Sequence, residues 1–189
     1  MTKSTKEPPV LRDGALILRP ARESDAEARL ALGRTPEIAR MFPLDADRAR
    51  EPLTLEEARR WAERLMAHPH GWAVEYEGRL LGEAHLSQLD RAHGSARFAC
   101  AIYDPAMLGK GLGRRLIRLV LAYGFGELGL HRIGLRVLAY NERAIRCYKA
   151  CGFVEEGLVR EAVLVDGERH DDILMGVLRG EFEAACGKL

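Results

Sequence analysis

The segment Leu108-Gly109-Lys110-Gly111-Leu112-Gly113-Arg114 constrains this chain more than any other. An extended run ending at Ile102 and Tyr103 precedes it, and a helical pattern from about Gly113 to Gly126 follows. The closely spaced glycines let backbone N–H groups converge without side-chain obstruction, and the helix start adds a partial positive charge at the same point. Such a strand, glycine turn and helix suit a phosphate or pyrophosphate, although the segment alone is equally compatible with a tight turn. The pattern is not a P-loop, because G-x-x-x-x-G-K-[ST] does not occur. A literal G-x-G-x-x-G runs from Gly124 to Gly129, but it closes a helix instead of following a strand. We read it as helix termination.

The periodicities around the loop predict an α+β domain with a mainly antiparallel sheet. Leu16 to Arg19 form a short strand stopped by Pro20, and Ser24-Asp25-Ala26-Glu27 is a capping box for a helix. A second box, Thr54 to Glu57, opens a helix carrying Leu55, Ala58, Trp61 and Leu65 at helical spacing. Extended runs 72–76 and 80–86 form a hairpin across Glu77-Gly78, and runs 153–165 and 170–178 form another across Asp166-Gly167. Strict alternation in the first hairpin puts Leu80, Ala84 and Leu86 on one face and Glu83 with His85 on the other. Ala96, Phe98, Cys100 and Ile102 alternate in the strand before the loop, Ile133, Leu135, Val137 and Ala139 in the strand after its helix. Asn141 caps a short helix that ends at Cys151-Gly152. Residues 1–10 read as a flexible polar leader and 11–189 as one domain, with no internal repeat.

Composition removes several classes of function. Lys and Arg number 29 against 28 Asp and Glu, a formal charge of +1, so no broad field attracts a polyanion and no nucleic-acid partner is expected. No stretch approaches the roughly 20 apolar residues of a membrane helix, and the first residues lack a signal-peptide core. The expectation is a cytoplasmic protein with no membrane partner. Cys100, Cys147, Cys151 and Cys186 include no C-x-x-C pair and read as reduced, mostly buried residues. No metal is expected, since His68, His70, His170, Asp171 and Asp172 follow no helical ligand spacing. His85 and Asp90 reproduce the H-x4-D spacing of lipid acyltransferases, but no basic amphipathic helix accompanies them.

Downstream of the loop stands Asn141-Glu142-Arg143-Ala144-Ile145-Arg146-Cys147-Tyr148-Lys149-Ala150-Cys151-Gly152-Phe153. With the strand, loop and helix before it, this segment resembles the acyl-CoA-binding half of the GNAT N-acetyltransferases, in which N-x-x-[SA]-x-x-x-Y-x-x-x-G-F follows a [RQ]-x-x-G-x-[GA] loop. The resemblance extends to Leu16 through Pro20, Asp104-Pro105, Glu156 through Arg160, Asp166-Gly167 and Asp172, all of which look like the RimJ/RimL branch. That branch includes enzymes acetylating the N-terminal amine of ribosomal proteins. Two positions depart from the pattern. Leu108 occupies the usual Arg/Gln slot, where the contact is made through backbone, and Arg97 stands where many branch members carry glutamate.

The resemblance implies a GNAT fold, a mixed and mainly antiparallel central sheet with helices on both faces. It also implies direct acetyl transfer from acetyl-CoA, as co-substrate, to a primary amine. The backbone of Leu108, Gly109, Lys110, Gly111, Leu112, Gly113 and Arg114 would take the pyrophosphate. Backbone at Ile102 and Tyr103 would bond the pantetheine arm and polarise the carbonyl. Tyr148 matches the family's general acid, its alternative being a packing aromatic beside Ala144 and Ile145, and Asn141 matches the residue that orients cofactor or amine. For the base, Glu83 is the carboxylate opposite the apolar strand face and His85 is its rival; a solvated edge would leave neither in that role. The expected acceptor is a protein or peptide N-terminal amine. The alternatives are a small-molecule amine such as a polyamine, amino acid or antibiotic, and a catalytically silent acyl-CoA-binding module. The resemblance also allows a homodimer.

Overall fold

Strands β1 (Leu11–Asp13), β2 (Leu16–Arg19), β3 (Gly71–Tyr76), β4 (Arg79–Asp90), β5 (Ser95–Ile102), β6 (Arg132–Leu138), β7 (Val154–Val165) and β8 (Glu168–Leu178) make one sheet. Their order is β1-β2-β3-β4-β5-β6-β8-β7, and every neighbouring pair is antiparallel except β5 with β6. The structure, a computed structural model, describes residues 7–42 and 51–186, together with the backbone but not the side chain of Cys186. The first six leader residues lie outside this set. The end of the leader is held: Pro8 is buried and the Pro9 carbonyl accepts the Trp72 indole N–H at 2.7 Å. No helix among the described residues is long and apolar enough to cross a membrane.

Helices cover both faces, as expected. Helices α4 (Leu112–Gly126), α5 (Glu142–Lys149) and α6 (Arg179–Cys186) lie over one face. There Leu116, Val120, Leu121, Tyr148 and Phe182 pack on Leu18, Leu86, Phe98, Ile133 and Met175. Helices α1 (Asp25–Leu32), α2 (Pro36–Ala39) and α3 (Leu55–Met66) lie over the other, where Trp61 and Leu65 meet Ala73, Leu80, Ala101 and Tyr103. Alternation along each strand feeds both cores, so β5 sends Phe98 to the first and Ala101 to the second.

Local chemistry explains the elements and corrects two expectations. The Thr54 box closes as the sequence predicts, with Thr54 accepting from the Glu57 amide and Glu57 from the Thr54 amide. The Ser24 box does not close, because Ser24 is already helical (φ −63°, ψ −16°) and its hydroxyl makes no cap. Asp25 takes over, accepting the Arg22 amide at 2.8 Å and both terminal nitrogens of the Arg19 guanidinium at 2.7–2.8 Å. The second correction concerns Leu80. Val74 pairs with Gly82 but Glu75 pairs with Leu80, so Leu81 is an extra residue in β4. This bulge turns Leu80 toward the α1/α3 core and leaves Leu81, Ala84 and Leu86 on the other face. Both hairpins turn as read, through positive φ at Glu77 and Gly78 (50° and 76°) and at Asp166 and Gly167 (51° and 80°). The short β1 went unread, although Asp13-Gly14 is the turn signal that joins it to β2.

Candidate active site

Strands β5 and β6 pair only where Ser95, Ala96 and Arg97 face Arg132, Ile133 and Gly134. Beyond that rung they part, and a cavity of about 1010 Å³ opens between them. Phe98 through Ile102 form one wall and Arg136 through Leu138 the other; the glycine loop, α5, Ile38 of α2, β7 and Asp172 of β8 complete it. The opening passes through the sheet. Cys100 and Ile102 look toward α4 and α5, while Ala99 and Ala101 look toward α1 and α3 by alternation.

On the α4 side, Gly111 is the N-cap residue of a 15-residue helix and supplies no capping side chain. The first turn of such a helix presents amides without intrahelical partners, and here the first bond into the helix is Arg115 N–H to the Gly111 carbonyl. Gly109 and Gly111 have φ of 74° and 78°, and among the described residues nothing lies within 4 Å of the place a Cβ would occupy at either. The result is an open cradle of amides at the positive end of a helix dipole, which fits a pyrophosphate. Leu112 buries its side chain in the core and Lys110 extends outward, its Nζ 3.7 Å from the Met107 sulfur, so these two face the cradle through backbone alone.

Tyr148 lies at the base of the divergence, packed edge-on against Phe98 and Phe153 at 6.4 and 5.6 Å. Burial pushes its phenol well above the ordinary value, and the Cys100, Cys147 and Cys151 thiols add to the rise. The group therefore stays protonated and able to donate. Asn141 also lines the cavity, but its Oδ1 accepts the Ala144 amide at 3.2 Å as the α5 cap. Its amide NH₂ is what the cap leaves for another partner.

The sequence-predicted residues divide into two groups. Ile102, Leu108, Gly109, Gly111, Gly113, Arg114, Asn141 and Tyr148 share the cavity wall. Tyr103, Glu83, His85 and the side chains of Lys110 and Leu112 stand off it. The Tyr103 amide donates to the Leu81 carbonyl at 2.9 Å, so backbone alternation leaves Ile102, not Tyr103, presenting its peptide groups to the opening. The Tyr103 ring sits under the Arg29 guanidinium, 3.8 Å away, on the α1 side. Glu83 pairs with Ala101 across β4 and β5; its carboxylate accepts the Trp61 indole N–H at 2.6 Å and Arg64 at 3.0 Å. His85 pairs with Ala99, its ring 5.2 Å from that of His68, and its Nδ1 is buried without a partner among the described residues. Burial holds its pKa below 6.5. The sequence reading missed the ion pair Arg136–Asp172 on the opposite wall, at 2.8 Å, and the apolar cover of Ile38, Met41 and Phe42. The family resemblance already includes Asp172, but its partner Arg136 lies 36 residues earlier on β6, with no local signal linking the two.

Residues 15–154 match the family described as acetyltransferase (GNAT) domain. A probable N-acetyltransferase of Bacillus subtilis, YjcK, is 30% identical over 92% of this chain and 99% of its own length. A spermidine N(1)-acetyltransferase of Vibrio cholerae is 38% identical over 54% of this chain and 59% of that protein. Its structure in complex with CoA and spermine superposes with a TM-score of 0.74 at 29% identity, covering 90% of this chain and 99% of that one. The N-alpha-acetyltransferase RimI of Mycobacterium tuberculosis is 34% identical over 55% of this chain and 65% of the relative. The matched stretches thus span less than two thirds of the Vibrio and Mycobacterium sequences. Fold, loop and sequence agree, and the chain belongs to the GNAT acetyltransferase family.

Proposed function

We propose that the protein is an acetyl-CoA-dependent N-acetyltransferase whose acceptor is the N-terminal amine of a peptide or protein, as in the RimJ/RimL branch. The observation that carries the acceptor class is the charge of the wall. Among the described residues it contains Arg114, Arg136, Arg143 and Arg146 but one carboxylate, Asp172, paired with Arg136; Arg143 and Arg146 bind Glu37 and Glu142 beside the wall, which leaves no second carboxylate on it open to a polyamine. A polyamine needs several carboxylates spaced along its chain, whereas a peptide terminus brings a single ammonium and an adjoining side chain. The cover of Ile38, Met41 and Phe42 suits such a side chain.

Acetyl-CoA supplies the acetyl thioester. The amides from Gly109 to Arg114 hold its pyrophosphate, and the peptide groups of Ile102 hold the arm and polarise the carbonyl. As the amine nitrogen bonds to the carbonyl carbon and the C–S bond breaks, Tyr148 donates its proton to the departing thiolate, and the proton that the nitrogen sheds on becoming an amide restores the phenol. The amine must first lose a proton. Glu83 is the base we propose, reached past the small side chains of Ala99 and Ala101, with His85 as the rival on the same strand face. An α-amine has a pKa of about 7.7–8.0, against roughly 10.4 for a lysine-type amine, so a sizeable share is neutral near pH 7.5 and a base set back from the wall suffices. This too favours a peptide terminus.

A small-molecule acceptor is the second reading, and the Vibrio relative supports it. Release of free CoA, measured with peptides of varied N-terminal residue against spermidine, separates the two. Turnover of peptides with little of spermidine is expected.

A further inference from the structure

We infer that Asp172 is the subsite that receives the acceptor's ammonium group, and that Arg136 occupies it until the amine arrives. The inference rests on the N-acetyltransferase reading of the cavity but not on which amine is acetylated. Asp172 is 7% exposed and lines the cavity. It stands on β8 directly across from Leu138, so it shares a face with Arg136 and lies on the same side of the sheet as Ala99 and Ala101. That is the side opposite Cys100 and the glycine loop, where an acceptor can approach without crossing the CoA cradle.

The preceding residue, Asp171, is what the surrounding backbone holds. The Ala139 amide donates to the Asp171 carbonyl, and the Glu161 amide donates to the Asp171 side chain at 2.7 Å. Strand β7 pairs Val159 with Asp172 and then slips before Val163 meets His170. The slip carries Ala162, Val163 and Leu164 onto the cavity wall beside the carboxylate.

The pair is unequal in a way that fits exchange. A buried carboxylate is costly unless it is paired, so Asp172 without Arg136 gains from any cation that reaches it. Its side chain is 10% exposed while that of Arg136 is 38% exposed, so Arg136 can turn to solvent and Asp172 cannot. An incoming ammonium restores the same charge balance, as a compact three-donor cation in place of a planar guanidinium. The one carboxylate among the described wall residues then has a substrate-side reason.

The test is steady-state kinetics on an amine that the wild-type enzyme acetylates, drawn from N-terminally free peptides and spermidine, with calorimetry of acetyl-CoA binding alongside. Asp172→Asn is expected to raise KM for the amine at least about 10-fold, with a smaller change in kcat and unchanged acetyl-CoA affinity. Arg136→Gln frees the carboxylate and is expected to lower KM for the amine. This opposite sign is the signature, because a purely structural pair would make both variants worse together. An unchanged KM in Asp172→Asn, or a rise in both variants, overturns the assignment. If Asp172→Asn does not fold, the sign of the Arg136→Gln effect decides alone. Peptides left untouched while spermidine is acetylated would refute the peptide reading, and the two variants would still report on Asp172 through spermidine.

Discussion

The phenol oxygen of Tyr148 lies 4.0 Å from the sulfur of Cys100, at the point where β5 and β6 part. Burial raises both groups, Cys100 to about 12, so neither ionises near neutrality. A neutral thiol is a poor nucleophile, which fits direct transfer without an enzyme-bound acyl group. The phenol is the stronger candidate for proton donation. Tyr148→Phe keeps the ring contacts with Phe98 and Phe153 and deletes the donor, so kcat should fall on the order of 10²-fold with acetyl-CoA affinity unchanged. Full turnover would make Tyr148 a packing residue.

The glycine cradle makes a separate prediction about binding. Replacing Gly111 and Gly113 by Val puts a branched side chain at φ 78° in the N-cap and another beside Cys147, whose sulfur lies 3.5 Å from a Cβ at position 113. Calorimetry should show a large loss of acetyl-CoA affinity in a protein that still melts cooperatively. The left-handed position itself costs about 1–2 kcal/mol of stability. A folded double variant with wild-type affinity would remove the loop from the site.

Histidines set the acid limit. Burial lowers the pKa of His68, His70 and His85, with Glu83 opposing the shift at His85 and His68 and Arg64 adding to it. The unfolded chain takes up these protons near pH 6.5 while the folded chain resists them. Their contribution to stability is therefore complete above about pH 6.5 and lost as pH falls through the folded values. The melting temperature should drop on that side, and His85→Gln should reduce the drop. Activity distinguishes the two base candidates: if Glu83 is the base, Glu83→Gln shifts or flattens the acidic limb of kcat/KM and His85→Gln leaves it in place. The reverse pattern would pass the role to His85.

Gly82 is the point where β4 tolerates no side chain. A Cβ there would stand 1.8 Å from the Ala101 carbonyl oxygen, a backbone atom fixed in the β4–β5 pairing. Gly82→Ala should cost about 3 kcal/mol, the upper end for overpacking, because the strands that carry Glu83 and Ala101 must separate. Urea unfolding measures this, and a loss under about 1 kcal/mol would show that the pair yields easily.

Much of this arrangement was legible in the sequence. The Thr54 box, the two positive-φ hairpins, the Asn141 cap and the glycine loop are local devices whose residues sit within a few positions of one another. What escaped depends on distant residues. Nothing near Leu80 announces the extra residue Leu81, since the bulge is set by how β3 and β4 pair. The Ser24 cap fails because Arg19 and Asp25 form a stronger arrangement around it. At the site, the cavity-lining loop and Tyr148 come from contiguous motifs, whereas the partners of Glu83, Trp61 and Arg64, lie about 20 residues earlier on α3. Asp172 meets Arg136 only because β8 inserts between β6 and β7.

The most direct test of the account is the rate of CoA release from acetyl-CoA by the full chain, measured across peptides with free N-termini, the same peptides with blocked N-termini, and spermidine. The account predicts turnover with free peptides, its loss on blocking, mass gain of one acetyl group at the N-terminal nitrogen, and little reaction with spermidine. Robust acetylation of spermidine with none on any peptide amine would contradict it.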